Sequence, residues 1–203
     1  MVQGGMMTMK GIFSARLQRR RKSRKVDKSL IAAIQAVVPG GSSIIDLGAG
    51  VGQYVQRLRE LGYRAAGIDG TPDIEELSNG LVRQWDLTSY ANFIEEADWG
   101  LLNEVGEHIP KELEYRFLQN ISAIPTRGLI VCWATPGRAV QRHVNCRLPE
   151  YVASRLAYTG WILAEVRTMK ARAAAGRSGR RLMVFRPTGR DERWLLRNSL
   201  GVQ

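Results

Sequence analysis

The chain has two histidines, and each stands among groups with which it could do chemistry. His108 closes the run NEVGEHIP (103–110), where Glu104, Glu107 and His108 form Glu-x-x-Glu-His. His143 lies further on, in TPGRAVQRHVNCR (135–147). Two carboxylates and two imidazoles make an oxygen-and-nitrogen donor set for an octahedral divalent cation with two open positions. Carboxylates favour Mg²⁺ or Mn²⁺, and imidazoles shift the preference toward Mn²⁺, Co²⁺ or Fe²⁺. The same residues allow a metal-free use, in which the acid or the histidine orients a substrate or acts as general base. They also allow a purely structural use, with Glu107 capping the following helix and His108 packed against it.

A second group of residues suits a different ligand. Residues 44–54 read IIDLGAGVGQY: two β-branched residues run into Asp46, then Gly48, Gly50 and Gly52 stand at alternate positions before a helical pattern from Tyr54. A buried parallel strand ending in so tight a turn lets a nucleoside-bearing cofactor lie against bare backbone. The nicotinamide version needs its third glycine one residue later, where this chain has Gln53.

Elements at fixed distances must position these groups. Residues 65–70, AAGIDG, form a second apolar strand, and Asp69 at its end can accept hydrogen bonds from both hydroxyls of a ribose. Residues 81–87 (LVRQWDL, with Asp86), 97–105 (ADWGLLNEV) and 128–134 (GLIVCWA) read as the third, fourth and fifth strands. Helical patterns fall at about 51–62, 72–79 and 110–123, with Pro110 opening the last, and a further one over 147–159. Alternating strands and helices predict an α/β, doubly wound sheet whose fourth and fifth strands carry the loops of the two histidines to one edge. Trp133 and Trp161 read as core residues.

The G-x-G-x-G turn with an acid two residues ahead of it resembles motif I of class I S-adenosylmethionine (SAM) methyltransferases, and the resemblance runs over about residues 29–188. It implies a seven-stranded, mostly parallel sheet ending in an antiparallel hairpin of residues 162–170 and 181–187, joined by the loop ARAAAGRSGR (171–180). It implies SAM against Gly48, Ala49, Gly50 and Gly52, with Asp46 orienting the turn or the methionine end. Asp69, beside Gly70, would hold the ribose and Asp86, beside Leu87, the adenine; Asn103 belongs to the same cofactor site.

The acid–histidine run is similar to that of small-RNA 3′-terminal 2′-O-methyltransferases and of ubiquinone-pathway O-methyltransferases. That likeness implies Glu104, Glu107, His108 and His143 as catalytic residues and as ligands of Mg²⁺ or Mn²⁺. A cation there would lower the pKa of an acceptor hydroxyl and fix it in line for transfer, and vicinal hydroxyls could fill both open positions. The expected activity is methyl transfer to a hydroxyl of an anionic acceptor, either a nucleic-acid end or an acidic small molecule. Two alternatives stay open: metal-free transfer to an amine, amide or peptide nitrogen, and a non-catalytic nucleic-acid-binding protein on the same scaffold.

With 203 residues the chain supports one such domain, read here as 29–190, between a basic arm at 1–28 and a short C-terminal helix at 191–203. Its net charge of +11 is uneven. Residues 1–28 hold nine Lys and Arg against one acid, and 167–203 hold ten against two, while the middle is mildly acidic. Such blocks suit contact with a polyanion. Arg172, Arg177, Arg180 and Arg181 would face an anionic substrate if their loop emerges on the cofactor edge. Cys132 and Cys146 have neither metal-type nor disulfide-type spacing, which suits a reducing, cytoplasmic compartment. No run of eighteen apolar residues is present to span a membrane.

Overall fold

Apolar strands alternating with amphipathic helices build one sheet covered on both faces. The computed structural model describes residues 14, 18, 26–90, 95–137 and 142–189, so the helix expected over 191–203 and nearly all of the 1–28 arm lie outside the described residues. The strands are β1 (Ser43–Leu47), β2 (Arg64–Asp69), β3 (Val82–Gln84), β4 (Ala97–Asn103), β5 (Pro125–Cys132), β6 (Trp161–Leu163) and β7 (Leu182–Pro187). Their spatial order is β3-β2-β1-β4-β5-β7-β6, with β1 to β5 mutually parallel and β7 antiparallel to both of its neighbours. Strands buried on both faces read as near-continuous apolar runs, as in IIDL and GLIVC.

Helices α1 (Lys28–Val37), α2 (Gln53–Glu60) and α6 (Glu165–Ala175) cover one face. Leu30, Ile34, Val55, Leu58, Ala171 and Ala175 bury there. Helices α4 (Glu114–Ala123) and α5 (Pro149–Ala157) cover the other with Phe117, Leu118, Ile121, Val152 and Leu156, and Trp133 and Trp161 lie in that core. The one-turn α3 (Ile74–Leu77) packs its two isoleucine and leucine side chains beside Val51 and Val82. Because β1 pairs β2 on one side and β4 on the other, the chain departs in opposite directions from the carboxyl end of β1. In open α/β sheets that crevice is where ligands bind.

The C-terminal hairpin is present, with pairs Trp161↔Pro187 and Leu163↔Phe185, but its strand and loop differ from expectation. Residues 162–170 do not continue as a strand: β6 stops at Leu163 and α6 begins at Glu165. The run EVRTMKARAAA consists mostly of strong helix formers, and its buried positions Thr168, Ala171 and Ala175 recur at helical spacing. The expected loop is therefore the end of this helix, followed by a tight 3₁₀ segment, Gly176–Arg181. The insertion leaves from the carboxyl end of β6 and returns into β7 on the same edge as the glycine turn. No helix among the described residues is long and apolar enough to cross a membrane.

Candidate functional site

The glycine turn after β1 is left-handed at Gly48, Gly50 and Gly52, with φ of 86°, 55° and 80°. Side chains disfavour that region, and a Cβ on Gly48 would also stand 2.6 Å from Val105 Cγ2. The N–H groups of Gly48 and Ala49 donate to the Ile68 carbonyl at 2.8 and 3.0 Å. The next free N–H of the turn, on Gly50, donates to Asp69 Oδ2 at 2.8 Å. Asp69 Oδ1 accepts from the Thr71 N–H and hydroxyl at 2.9 and 2.6 Å. Asp69 thus fastens β2 to the turn and keeps acceptor capacity on Oδ2.

Asp46 is buried in β1, and that burial, with the Asp69 charge second, pushes its pKa up to about 7. Asp86 sits just beyond β3, its Oδ1 accepting from the Thr88 N–H and hydroxyl at 2.8 and 2.6 Å. Leu87 is buried, and its carbonyl accepts from Asn120 Nδ2 at 2.8 Å. Gly70 and Asn103 are half-buried at the ends of β2 and β4. Gln18, which the sequence gives no reason to single out, is buried against the turn, its amide oxygen 3.1 Å from where a Gly50 Cβ would be. Nothing in a basic segment singles out one glutamine.

β4 ends at Asn103, and Glu104 takes a left-handed backbone with φ of 57°. A 3₁₀ turn, Gly106–His108, follows, and Gly106 lies so flat on the Trp133 ring that no Cβ would fit. This close approach fixes where Glu107 and His108 point. The ligand atoms of Glu107, His108 and His143 all lie within 4.8 Å of one another. Both carboxylate oxygens of Glu107 are buried without a hydrogen-bond partner among the described residues. Burial first, and the neighbouring Glu104 carboxylate second, push its pKa up to about 8. The nearby N–H groups of Glu107 itself and of Ala134 offset this only in part, and a buried acid so poorly served is costly as an anion unless a cation sits beside it. His108 Nδ1 donates to the Arg142 carbonyl at 2.9 Å, the kind of outer contact that orients a metal-binding imidazole. The two imidazoles meet edge to face, with centroids 4.9 Å apart.

The loop after β5 brings His143 into place through backbone and side chains together. The N–H groups of Val144 and Asn145 both donate to the Glu107 carbonyl, at 2.8 and 2.9 Å. Trp133 Nε1 donates to the Asn145 carbonyl at 2.7 Å. Beneath it, buried Glu114 at the start of α4 accepts from Asn145 Nδ2, Arg147 Nε and the Tyr151 hydroxyl. Cys146 Sγ lies 3.7 Å from His143 Nδ1. A donor set of one carboxylate and two imidazoles fits a divalent cation that retains positions for other ligands.

Glu104, the fourth residue of the sequence-derived set, is turned elsewhere. Its Oε1 lies 3.0 Å from an Arg181 guanidinium nitrogen and accepts from the Cys132 thiol at 3.1 Å. Burial, followed by the Glu104 charge, holds that thiol protonated far above its ordinary range. Of the four arginines expected over the site, Arg181 reaches it, Arg172 donates to the Leu182 carbonyl at 2.7 Å, and Arg177 and Arg180 face solvent. Glu104 and Arg181 border a cavity of about 270 Å³ whose other walls include Asp27, Tyr54, Asn103 and Cys132.

No protein-family model and no curated protein matches the sequence. Solved structures do. The chain is similar to magnesium protoporphyrin IX methyltransferase from Synechocystis PCC 6803, with 15% identity over 91% of this chain and 90% of that one, and a TM-score of 0.61. It is similar to the small RNA methyltransferase HEN1, with 15% identity over 80% of this chain and 25% of that one, and a TM-score of 0.60. It is also similar to the cyclase SpnF, with 14% identity over 80% of each chain and a TM-score of 0.55. The chain has the class I SAM-dependent methyltransferase fold. Likeness at such identities establishes the fold, and chemistry has to be argued from the site.

Proposed function

We propose that this protein is a SAM-dependent methyltransferase that transfers a methyl group to a hydroxyl of an anionic acceptor, assisted by a divalent cation. The observation that carries the reading is the Glu107–His108–His143 cluster, built beside a glycine turn that Asp69 pins by its Gly50 N–H. SAM would lie along residues 48–52, with Asp69 at its ribose, Asp86 and Leu87 near its adenine, and Asp46, Gly70 and Asn103 completing the contact. Glu107, His108 and His143 would hold Mg²⁺ or Mn²⁺, and Glu104 would join them only by turning away from Arg181. A cation held there would lower the pKa of the acceptor hydroxyl and stabilise the alkoxide. The protein's own part is to exclude water through the Trp133 and Val105 packing, to keep the His108 proton on Nδ1, and to present Arg181 to negative charge.

The acceptor class is a nucleic-acid end bearing a vicinal diol or an acidic small molecule, and similarity to a small RNA methyltransferase supports the first. The basic runs at both ends of the sequence favour either. Two isolated cysteines support a reducing, cytoplasmic setting. A metal-free N-methyltransferase is the second reading, supported by a structural neighbour that methylates N1 of didemethyltoxoflavin.

Transfer of tritiated methyl from SAM tests the proposal, with 3′-diol RNA, periodate-treated RNA, and a small-molecule and peptide extract, each with and without EDTA. Label on intact RNA that disappears with periodate or EDTA is the expected result for a terminal ribose. EDTA-sensitive label in the extract gives the small-molecule acceptor. Label indifferent to EDTA replaces the O-methyl reading with the metal-free one. Failure of SAM and S-adenosylhomocysteine to bind in calorimetry overturns both.

A further inference from the structure

Arg181 is paired to Glu104, the acid of the Glu-x-x-Glu-His run that the three-residue cluster leaves out. The pair is half-exposed, with side-chain exposures of 41% and 36%, and it lies on the wall of the 270 Å³ cavity. Glu104 stands close enough to Glu107 for their charges to repel. One carboxylate therefore has a positive partner in contact, the Arg181 guanidinium, and stands three residues from the Glu107 of a cluster that would hold a cation but does not include it. Its backbone is left-handed, with φ of 57°, a rare state for a non-glycine residue. Cys132 adds a single weak donor on the same oxygen that faces Arg181.

Resting on the metal-assisted reading above, we infer that Glu104 exchanges partners, pairing with Arg181 when the cluster is empty and joining Glu107, His108 and His143 when a divalent cation binds, so that Arg181 then receives an anionic oxygen group of the acceptor. In the resting state the Glu104 carboxylate occupies the place of that group. A carboxylate and a non-bridging phosphate oxygen present the same chemistry to a guanidinium, so the site is specific for oxyanions. Cation and anionic acceptor are thereby coupled: each frees the partner that the other needs, and by linkage the coupling is reciprocal.

The exchange makes two quantitative demands on the full-length protein. Without Arg181 to hold it, Glu104 is available to the cation, so Arg181→Met binds Mn²⁺ more tightly than the parent, by about threefold to fivefold for a half-exposed ion pair. Without the Glu104 charge, Arg181 is available to an anion, so metal-free Glu104→Gln binds sulfate more tightly by a similar factor of about three to five. Calorimetry reads both, and the double variant Arg181→Met/Glu104→Gln loses both gains.

The failures are distinguishable. If the parent protein binds no Mn²⁺, the metal-assisted reading falls and the exchange with it. If the parent binds Mn²⁺ and Arg181→Met binds it no more tightly, the exchange is overturned while the metal site stands. Sulfate affinity unchanged in Glu104→Gln overturns the assignment of Arg181 to the acceptor's oxyanion. Circular dichroism melts of each variant show that the comparison is between folded proteins.

Discussion

Asn145 donates through Nδ2 to Glu114 Oε2 at 2.8 Å, a bond between the loop that carries His143 and the first residue of α4. The same carboxylate receives Arg147 Nε at 3.3 Å and the Tyr151 hydroxyl at 2.6 Å, with Arg155 Nε at 3.7 Å completing its ion pairs. One buried acid thus ties the post-β5 loop and α5 to α4. Because Val144 and Asn145 also bind the Glu107 carbonyl, the position of His143 relative to Glu107 depends on this link. Glu114→Ala strands several partly buried donors and should cost about 2–4 kcal/mol of stability.

Glu114→Gln preserves the shape and removes the charge. The expected urea-denaturation order is parent above Gln above Ala. At temperatures where all three remain folded, Mn²⁺ affinity should fall in that same order. Equal affinities across the series would show that His143 is placed without Glu114.

Asp69 makes a second testable connection, from β2 to the glycine turn. Its two oxygens satisfy three donors: the Gly50 N–H, the Thr71 N–H and the Thr71 hydroxyl. Asp69→Ala leaves those donors without their acceptor, at a cost of about 1–3 kcal/mol, and loosens the turn against which the cofactor would lie. S-adenosylhomocysteine affinity should drop at least about tenfold, the factor that 1.4 kcal/mol of binding energy corresponds to. Calorimetry on Asp69→Ala, with Glu95→Ala as a surface control, measures it. An affinity equal to that of the control would separate Asp69 from the cofactor site.

What the sequence made legible follows from what physics makes local. The G-x-G-x-G turn lies where it was read because the left-handed backbone at Gly48, Gly50 and Gly52 is a property of the residues themselves. The strands carrying IIDL and GLIVC also followed from their composition, and the sheet is doubly wound as expected. Residues 162–170 went the other way: Ile162, Val166 and Met169 look strand-like by hydrophobicity, yet Val166 and Met169 are 80% and 69% exposed on a helix. Helix propensity and the buried small residues Thr168, Ala171 and Ala175 decide that segment.

The site divides similarly. Glu-x-x-Glu-His and a distant histidine are visible as a pattern, while the Glu104–Arg181 contact joins residues far apart in sequence. The role of Glu114 as a hub was equally hidden, since a glutamate opening a helix reads as an ordinary solvated acid until its burial is known.

The strongest pH effect should come from Glu107. Its carboxyl is buried, and that burial, with the Glu104 charge second, pushes its pKa up to about 8 from an ordinary value of 4.5. Between those two values the folded chain keeps a proton that the unfolded chain has released, so stability falls as pH rises through the window and the contribution is gone above about 8. Asp46, pushed to about 7 from 3.8, acts with the same sign over a narrower range. Glu107→Gln removes the larger share: its urea midpoint should decline less between about pH 5 and about pH 8.5 than that of the parent, leaving the slope that Asp46 supplies. A cation reverses the sense of the effect, because it binds the carboxylate and expels the proton. Mn²⁺ should therefore raise the melting temperature of the parent more at about pH 8 than at about pH 6, and Glu107→Gln should lose most of that gain. Parallel pH slopes for parent and Glu107→Gln would mean that Glu107 is not protonated in the folded metal-free protein, and that the cluster finds its counter-charge elsewhere.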